Sequence, residues 1–381
     1  MSVFLTGATG YIGSYIATGI LKGHKKERLA VLVRADDVEH AKRRLWKSMQ
    51  LHLEHDKFLQ FLNDRVDIFL GDLTKPSLGL DTAERDRLVK GMTSVIHCAA
   101  SLNRKSAKAC FNVNLRGTLE MLQIARDAHD HHGLRRFSDI STVAVAGKRQ
   151  DELVTEDRGV DWALSDYDPY ARTKKFCEHM VHELLPDVPK TIFRPSTVLG
   201  DSRFPETTQF DMVRAFTFLA QLPALPFRSD WRIDIVPADY VSKAVVKIHM
   251  GEPKYDAYNL SSGAQSLTYE KIVGTLADAG NHRPASFIPQ LEGAFDMLVN
   301  ALANTPRKWG VAPHASLMKV FLPYLTFNTV FDNSRVVEAL GEAPASFDSY
   351  AYPLYRFATD GGFKYPYQPW PGEPDSVRRV A

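Results

Sequence analysis

An apolar, strand-like run, Val3-Phe4-Leu5, leads directly into Thr6-Gly7-Ala8-Thr9-Gly10-Tyr11-Ile12-Gly13, and an amphipathic stretch follows. Three glycines at this spacing between a strand and a helix leave few folds open. Gly7 permits a tight turn, Gly10 lets a pyrophosphate approach the backbone, and Gly13 lets helix and strand pack closely. The helix start then offers unpaired N–H groups and the positive end of its dipole to phosphate. The loop follows a strand and opens a helix at the head of a β-α-β unit, and this context gives the motif its meaning. Gly7, Thr9, Gly10, Tyr11, Ile12 and Gly13 are therefore expected to hold a dinucleotide.

The same alternation continues down the chain. Strand-like runs at 3–6, 29–34, 66–70, 94–97, 137–140, 190–193 and 233–236 enclose helical patterns around 12–21, 38–52, 107–128 and 170–184. Continuous apolar strands between amphipathic helices predict a parallel sheet covered on both faces, the doubly wound α/β (Rossmann) class. Past Pro237 the alternation weakens into aromatic and Pro-rich segments. Residues 1–240 are accordingly assigned to a dinucleotide-binding domain. Residues 241–381 are assigned to a smaller, irregular substrate lobe interleaved with the sheet, with 204–227 contributing to it.

The ends of the predicted strands narrow the ligand. The second ends at Val33-Arg34, where an NAD-selective site places a carboxylate on the ribose 2′-hydroxyl. Arg34 instead suits a 2′-phosphate, which a guanidinium pairs bidentately. Of Arg43 and Arg44 on the next helix, Arg44 is chosen as the second cation, and Asp36 and Asp37 read as helix caps. These residues predict NADPH (NADP+). Gly71-Asp72-Leu73 follows the third strand, which sets Asp72 and Leu73 beside the adenine. His97-Cys98-Ala99-Ala100 follows the fourth, where Ala99 and Ala100 are small enough for the cofactor to lie close. Ligands of such sheets bind at strand C-termini, so these short motifs gain weight from their order.

Tyr170-Ala171-Arg172-Thr173-Lys174 sets a phenol and an ammonium on one helix face. A free phenol titrates at about 10, and a neighbouring cation is expected to lower that value. Lys174 is also expected to hold the nicotinamide ribose. Ser141-Thr142 ends the fifth strand and supplies a hydroxyl to orient a carbonyl and stabilise its oxyanion. Thr142 is chosen, with Ser141 the near alternative. The expected catalytic set is Thr142, Tyr170 and Lys174. Asn114, in Asn112-Val113-Asn114-Leu115-Arg116-Gly117-Thr118, either serves the cofactor side near Lys174 or is a buried structural amide.

Composition acts mainly as a filter. With 47 Lys+Arg against 45 Asp+Glu the net charge is +2, so no global charge argues for nucleic acid. Cys98, Cys110 and Cys177 lack metal-like spacing and read as reduced thiols of a cytoplasmic protein. His129-Asp130-His131-His132 reads as a solvated helix end, so no metal is expected. No targeting peptide is expected either, because strand-like residues begin almost at once. The apolar run 320–331 falls short of the ~20 residues of a membrane span and contains Pro323 and Asn328. Peripheral membrane contact there is the minor alternative to core or cavity lining. Arg104-Lys105 are placed at the cofactor mouth or the surface.

The set T-G-A-T-G-Y-I-G, G-D-L, H-C-A-A, N-L-R-G-T, I-S-T and Y-A-R-T-K resembles the extended short-chain dehydrogenase/reductase superfamily. Within it, four passages are similar to the thioester-reductase branch: Val31-Leu32-Val33-Arg34-Ala35 followed by Ala41 and Arg44-Leu45, Ser141-Thr142-Val143-Ala144-Val145-Ala146-Gly147, Arg194-Pro195-Ser196-Thr197-Val198-Leu199-Gly200-Asp201-Ser202, and Asp234-Ile235-Val236-Pro237-Ala238-Asp239-Tyr240-Val241. That branch holds fatty acyl-CoA reductases and the terminal reductase domains of carboxylic acid reductases and nonribosomal peptide synthetases. The resemblance implies that Pro195, Ser196 and Val198 line the nicotinamide end. It implies hydride transfer from NADPH to an acyl thioester, on CoA or a carrier protein, giving an aldehyde or, after a second step, the alcohol. Two competing readings are a ketone reductase or nucleotide-sugar epimerase or dehydratase of the same superfamily, and an NADP-sensing regulator without turnover. Pro169 stands directly before Tyr170, where the branch more often has glycine.

Overall fold

The computed structural model describes residues 2–305, 312–326 and 328–371; Phe327 of the apolar run and the terminal residues 372–381 lie outside the described residues. Seven strands form one parallel sheet: β1 (Ser2–Thr6), β2 (Arg28–Val33), β3 (Val66–Leu70), β4 (Met92–His97), β5 (Arg136–Ile140), β6 (Lys190–Pro195) and β7 (Ala257–Leu260). Their order is β7-β6-β5-β4-β1-β2-β3, the doubly wound Rossmann arrangement. The order reverses between β1 and β4, which opens a crevice at the strand C-termini.

The two-residue period of a strand explains why both faces are covered. Val3, Leu5, Val31 and Val33 point to one face, where they meet Ile16 and Ile20 of α1 (Tyr11–Gly23), Leu45 and Trp46 of α2 (Val38–Met49), and later Val241 and Val245. Phe4, Ala30 and Leu32 point to the other, where Met121 of α3 (Gly117–His132) and Val181 of α4 (Pro169–Leu184) close over them. Complete burial of a side chain such as Phe4 contributes roughly 1.5–3 kcal/mol. Among the described residues both faces of the sheet are covered, and the crevice opens at the C-terminal ends of its strands.

Three expectations about the elements change. Run 233–236 is not one strand of the central sheet, because Asp234 divides it between two small sheets. Arg232–Ile233 pairs antiparallel with Leu267–Thr268, and Ile235–Val236 pairs parallel with Thr197–Val198. The seventh place in the sheet goes to β7, only four residues long and carrying Asn259, which hides it from a hydrophobicity pattern. The Rossmann unit also runs past the expected boundary at 240, since α5 (Ala238–Met250) packs on α1 and β7 on β6. Finally, the helix expected over 107–128 comes in three pieces. A turn at Ala107–Cys110 passes into a π-helical stretch, Phe111–Arg116, before α3 begins.

A second core holds the remaining lobe. Met212, Val213 and Phe227 join Trp231, Tyr269, Leu354 and the inner face of α6 (Ala312–Thr326), represented by Phe321, Leu322 and Leu325. Phe321 and Phe331 also reach the crevice. Among the described residues no helix is long and apolar enough to cross a membrane.

Candidate active site

The floor of the crevice is backbone. Thr6 bonds His97 Nδ1 at 2.8 Å and accepts the Ala99 N–H at 3.2 Å, which ties the glycine loop to the end of β4. Gly7 has a φ of +80°, and a Cβ there would stand 2.8 Å from the Ala99 nitrogen. A Cβ on Gly13 would stand 1.9 Å from the Gly7 carbonyl oxygen. Only glycine leaves this cradle open. No side chain caps α1 at Gly10, so its first N–H groups remain for phosphate oxygens. The cradle fits a pyrophosphate.

One cavity of about 480 Å³ runs along the strand ends, and every expected cofactor and catalytic residue except Asn114 and Lys174 lines it. At the end of the cavity beside β2, Arg44 donates to the backbone oxygen of Arg34. Burial, then the charge of Arg34, lowers Arg44 below the ordinary arginine value. Two guanidiniums crowded in this way favour an anion between them. Asp37 caps α2, accepting from the His40 N–H at 2.7 Å. Asp36 is not a second cap but pairs with the His40 ring at 3.2 Å. Asp72 accepts from the Thr74 N–H and hydroxyl at 2.9 and 2.8 Å. Burial works against its charge, but those bonds and nearby Arg34 and Lys75 hold the carboxyl below its usual range.

Tyr170 sits in the first turn of α4. Asp168 caps that helix, accepting from the Ala171 N–H at 2.9 Å, and Pro169 occupies the first turn, where its missing N–H costs nothing. Lys174, one turn on, is 1% exposed. Burial opposes its charge, yet Asp139, 3.5 Å away, holds the ammonium above the ordinary lysine range. Burial also raises the Tyr170 phenol, outweighing the opposite pull of Lys174 and Arg104. This reverses the expected lowering: in so dry a site desolvation exceeds the effect of one nearby cation. The phenol is therefore protonated at neutral pH, the state a proton donor requires.

The choice between the two hydroxyls rests on their partners. Ser141 donates to Glu178, which forms a buried two-pronged ion pair with Arg194, its closest contact 2.7 Å. The Ser141 hydroxyl is thus committed to the wall. Thr142 accepts from the Ala144 N–H at 3.2 Å, which leaves its own hydrogen to donate into the cavity it lines. Asn114 is spent on structure. Its oxygen accepts from the Ser101 N–H at 2.7 Å, and its amide nitrogen donates to Thr173 at 3.0 Å and to the Ser101 carbonyl at 3.2 Å. It clamps the loop after β4 to α4 from within the π-helical turn, and it does not face the crevice. The Cys98 thiol is pushed up to about 12 by burial, which makes it packing and not a nucleophile.

Sequence reading places Arg104 only at the cofactor mouth or the surface and Tyr324 only within a core or cavity-lining run, and gives Asp234 no role; all three line the cavity. The Arg104 guanidinium lies 4.7 Å from the Tyr170 ring centre, and Tyr324 of α6 donates its hydroxyl to Asp168 at 2.6 Å. Asp234 also lines the cavity, accepting from the Ser262 N–H at 2.8 Å, with its carboxyl pushed up to about 7 by burial. The bend at Asp234 that broke the expected strand was the available signal for it. Arg104 and Tyr324 had none beyond their residue types.

Comparisons with known proteins agree with this fold. A family model of the NAD-binding kind, described as Male sterility protein, matches residues 5–245. The isonitrile lipopeptide synthase of Mycobacterium tuberculosis is 31% identical over 221 residues, 53% of this chain and 8% of that protein. The chain spans only a small part of the length of the curated relatives it matches. Among solved structures, the terminal R domain of the myxalamid PKS-NRPS pathway has a TM-score of 0.80 at 22% identity, with 96% of this chain and 92% of that one covered. A thiolation-reductase di-domain of an archaeal non-ribosomal peptide synthetase has a TM-score of 0.73 at 17% identity, covering 95% and 76%. These structural likenesses speak for the fold.

Proposed function

The chain belongs to the NAD-binding male sterility protein family, extended short-chain dehydrogenases/reductases with a nicotinamide cofactor, and from that premise we propose that it is an NADPH-dependent reductase of acyl thioesters. The observation that carries this reading is one cavity lined by the glycine cradle, the Arg34–Arg44 pair and the Thr142–Tyr170 pair. Two crowded guanidiniums where an NAD site would place a carboxylate favour the 2′-phosphate of NADPH.

Bound NADPH supplies the hydride that reaches the carbonyl carbon. Tyr170 donates its proton to the carbonyl oxygen as negative charge develops there, and Thr142 donates a hydrogen bond to the same oxygen. The buried Lys174 ammonium, 3.5 Å from Asp139, steadies the phenolate left behind. The product is a hemithioacetal. On its collapse the hydroxyl proton returns to Tyr170, the C–S bond breaks, and the thiolate leaves to be protonated by water, giving the aldehyde. The thiol belongs to CoA or to a carrier protein, as a thiolation-reductase neighbour suggests. The same groups serve a second hydride transfer to the alcohol.

NADPH absorbance, followed with octanoyl-CoA, octanal and cyclohexanone in turn, tests the reading. Thioester-dependent oxidation with release of free CoA is expected. Ketone turnover without any thioester-dependent oxidation would overturn it.

A further inference from the structure

Tyr170 is flanked by two cations of different origin. Lys174 comes from its own helix and already has a role. Arg104 comes from the loop after β4. Its guanidinium lies 4.7 Å from the ring centre of Tyr170, 4.8 Å from that of Tyr324 and 5.5 Å from that of Phe321. Nη1 stands 3.5 Å from Asp168 and 3.3 Å from the Tyr324 hydroxyl. Asp168 in turn caps the helix that carries Tyr170, and Tyr167 stacks on Tyr324 with centroids 4.6 Å apart. Three segments distant in sequence hold one guanidinium over one phenol. Its side chain is 18% exposed and lines the cavity, so solvent screens it little.

The groups that face the phenol come from every element around it. Lys174 and Asp168 belong to its own helix and cap, Arg104 to the loop after β4, Asp139 to β5 and Tyr324 to α6. Lys174 is matched by Asp139, and Arg104 by Asp168. Removing Arg104 would take away a cation and leave Asp168 unbalanced, two changes that disfavour the phenolate together. The attraction between a guanidinium and a ring also grows when the ring acquires negative charge.

We propose that Arg104 is a second cation for proton transfer: it positions Tyr170 and stabilises the charge left on the phenol oxygen once the proton has passed to the substrate oxygen. The O–H bond of Tyr170 breaks, the substrate O–H bond forms, and Arg104 itself gains or loses nothing. Tyr324 and Asp168 hold the guanidinium in place, so the second lobe sets the strength of the acid. The proposal rests on Tyr170 being the proton donor in the reading above.

Arg104→Met and Arg104→Lys, compared with the unaltered chain, test it. With NADPH and either octanoyl-CoA or octanal, Arg104→Met should lower kcat about tenfold and move the alkaline limb of the kcat–pH profile up by about one unit. NADPH affinity from fluorescence titration should stay within about twofold, and Arg104→Lys, which keeps the charge but not the planar fork, should recover only part of both losses. A substrate-free readout is NMR of isotope-labelled tyrosine with NADP+ bound, the Tyr170 signal being assigned through Tyr170→Phe. That phenol should titrate at higher pH in Arg104→Met. An unmoved titration, or a fall in kcat with an unmoved pH limb, would reduce Arg104 to packing and overturn the proposal. If neither acyl substrate oxidises NADPH while the Tyr170 titration still moves, the thioester reading fails and the role of Arg104 stands.

Discussion

The two ends of the cavity are built differently. At the end proposed for the cofactor the chain presents backbone: a glycine cradle, a bare helix N-terminus and small residues at strand ends, all fixed by the sheet beneath them. At the substrate end it presents side chains. Arg104 meets Asp168 from 64 positions away, and Tyr324 meets Asp168 from 156 away, around a single phenol. The first end is rigid because an added Cβ has nowhere to go. The second is adjustable, since each of its side chains can change without disturbing the sheet. Binding and chemistry should therefore fail separately when the two ends are altered separately.

The largest expected effect is at the substrate end. Tyr170→Phe should lower kcat by about a thousandfold, within the range for loss of a general acid, and leave NADPH affinity within about twofold. Steady-state kinetics and fluorescence titration check this together, and a parallel loss of affinity would erase the division between the ends. At the cofactor end the opposite pattern is expected. Gly13→Val drives carbon into the Gly7 carbonyl and should weaken NADPH binding by at least about a hundredfold, with overpacking costing about 1–3 kcal/mol of stability. Normal binding by a folded Gly13→Val chain would mean the cradle is misread.

Smaller changes sharpen the boundary. Arg34→Asp should weaken NADPH by between about tenfold and a hundredfold, the scale of charge-assisted hydrogen bonds, and change NADH much less. Equal effects in paired titrations would remove the 2′-phosphate assignment. The smallest expected effect separates the adjacent hydroxyls. Ser141→Ala leaves buried Glu178 short of a donor and should cost about 1–2 kcal/mol in thermal unfolding, with kcat changed less than about threefold. A large kcat loss in Ser141→Ala with little loss of stability would exchange the roles of Ser141 and Thr142.

How much of this was legible in the sequence follows the same division. The cofactor end could be read because its information is local: Gly7, Gly10 and Gly13 sit within one turn, and Arg34 and Asp72 each close a strand. Six of the seven sheet strands announced themselves by apolar runs. β7 did not, being four residues long with Asn259 inside, and 233–236 misled because a single buried Asp234 breaks its pairing. Tyr170 and Lys174 could be placed one helical turn apart, but the state of the phenol could not, since it depends on how dry the site is. Arg104 and Tyr324 were opaque for a related reason. Their roles come from the meeting of distant segments, and no spacing in the chain records that.

One measurement tests the thioester assignment most directly. The chain is incubated with octanoyl-CoA and NADPH carrying deuterium at the transferable C4 position, and the products are identified by mass spectrometry. Octanal with one deuterium at C1, or octanol with two where the second transfer follows, and a matching amount of free CoA are expected, with all of them lost in Tyr170→Phe. Octanoyl-CoA left intact, while cyclohexanone supplied in its place takes up the deuterium, would contradict it.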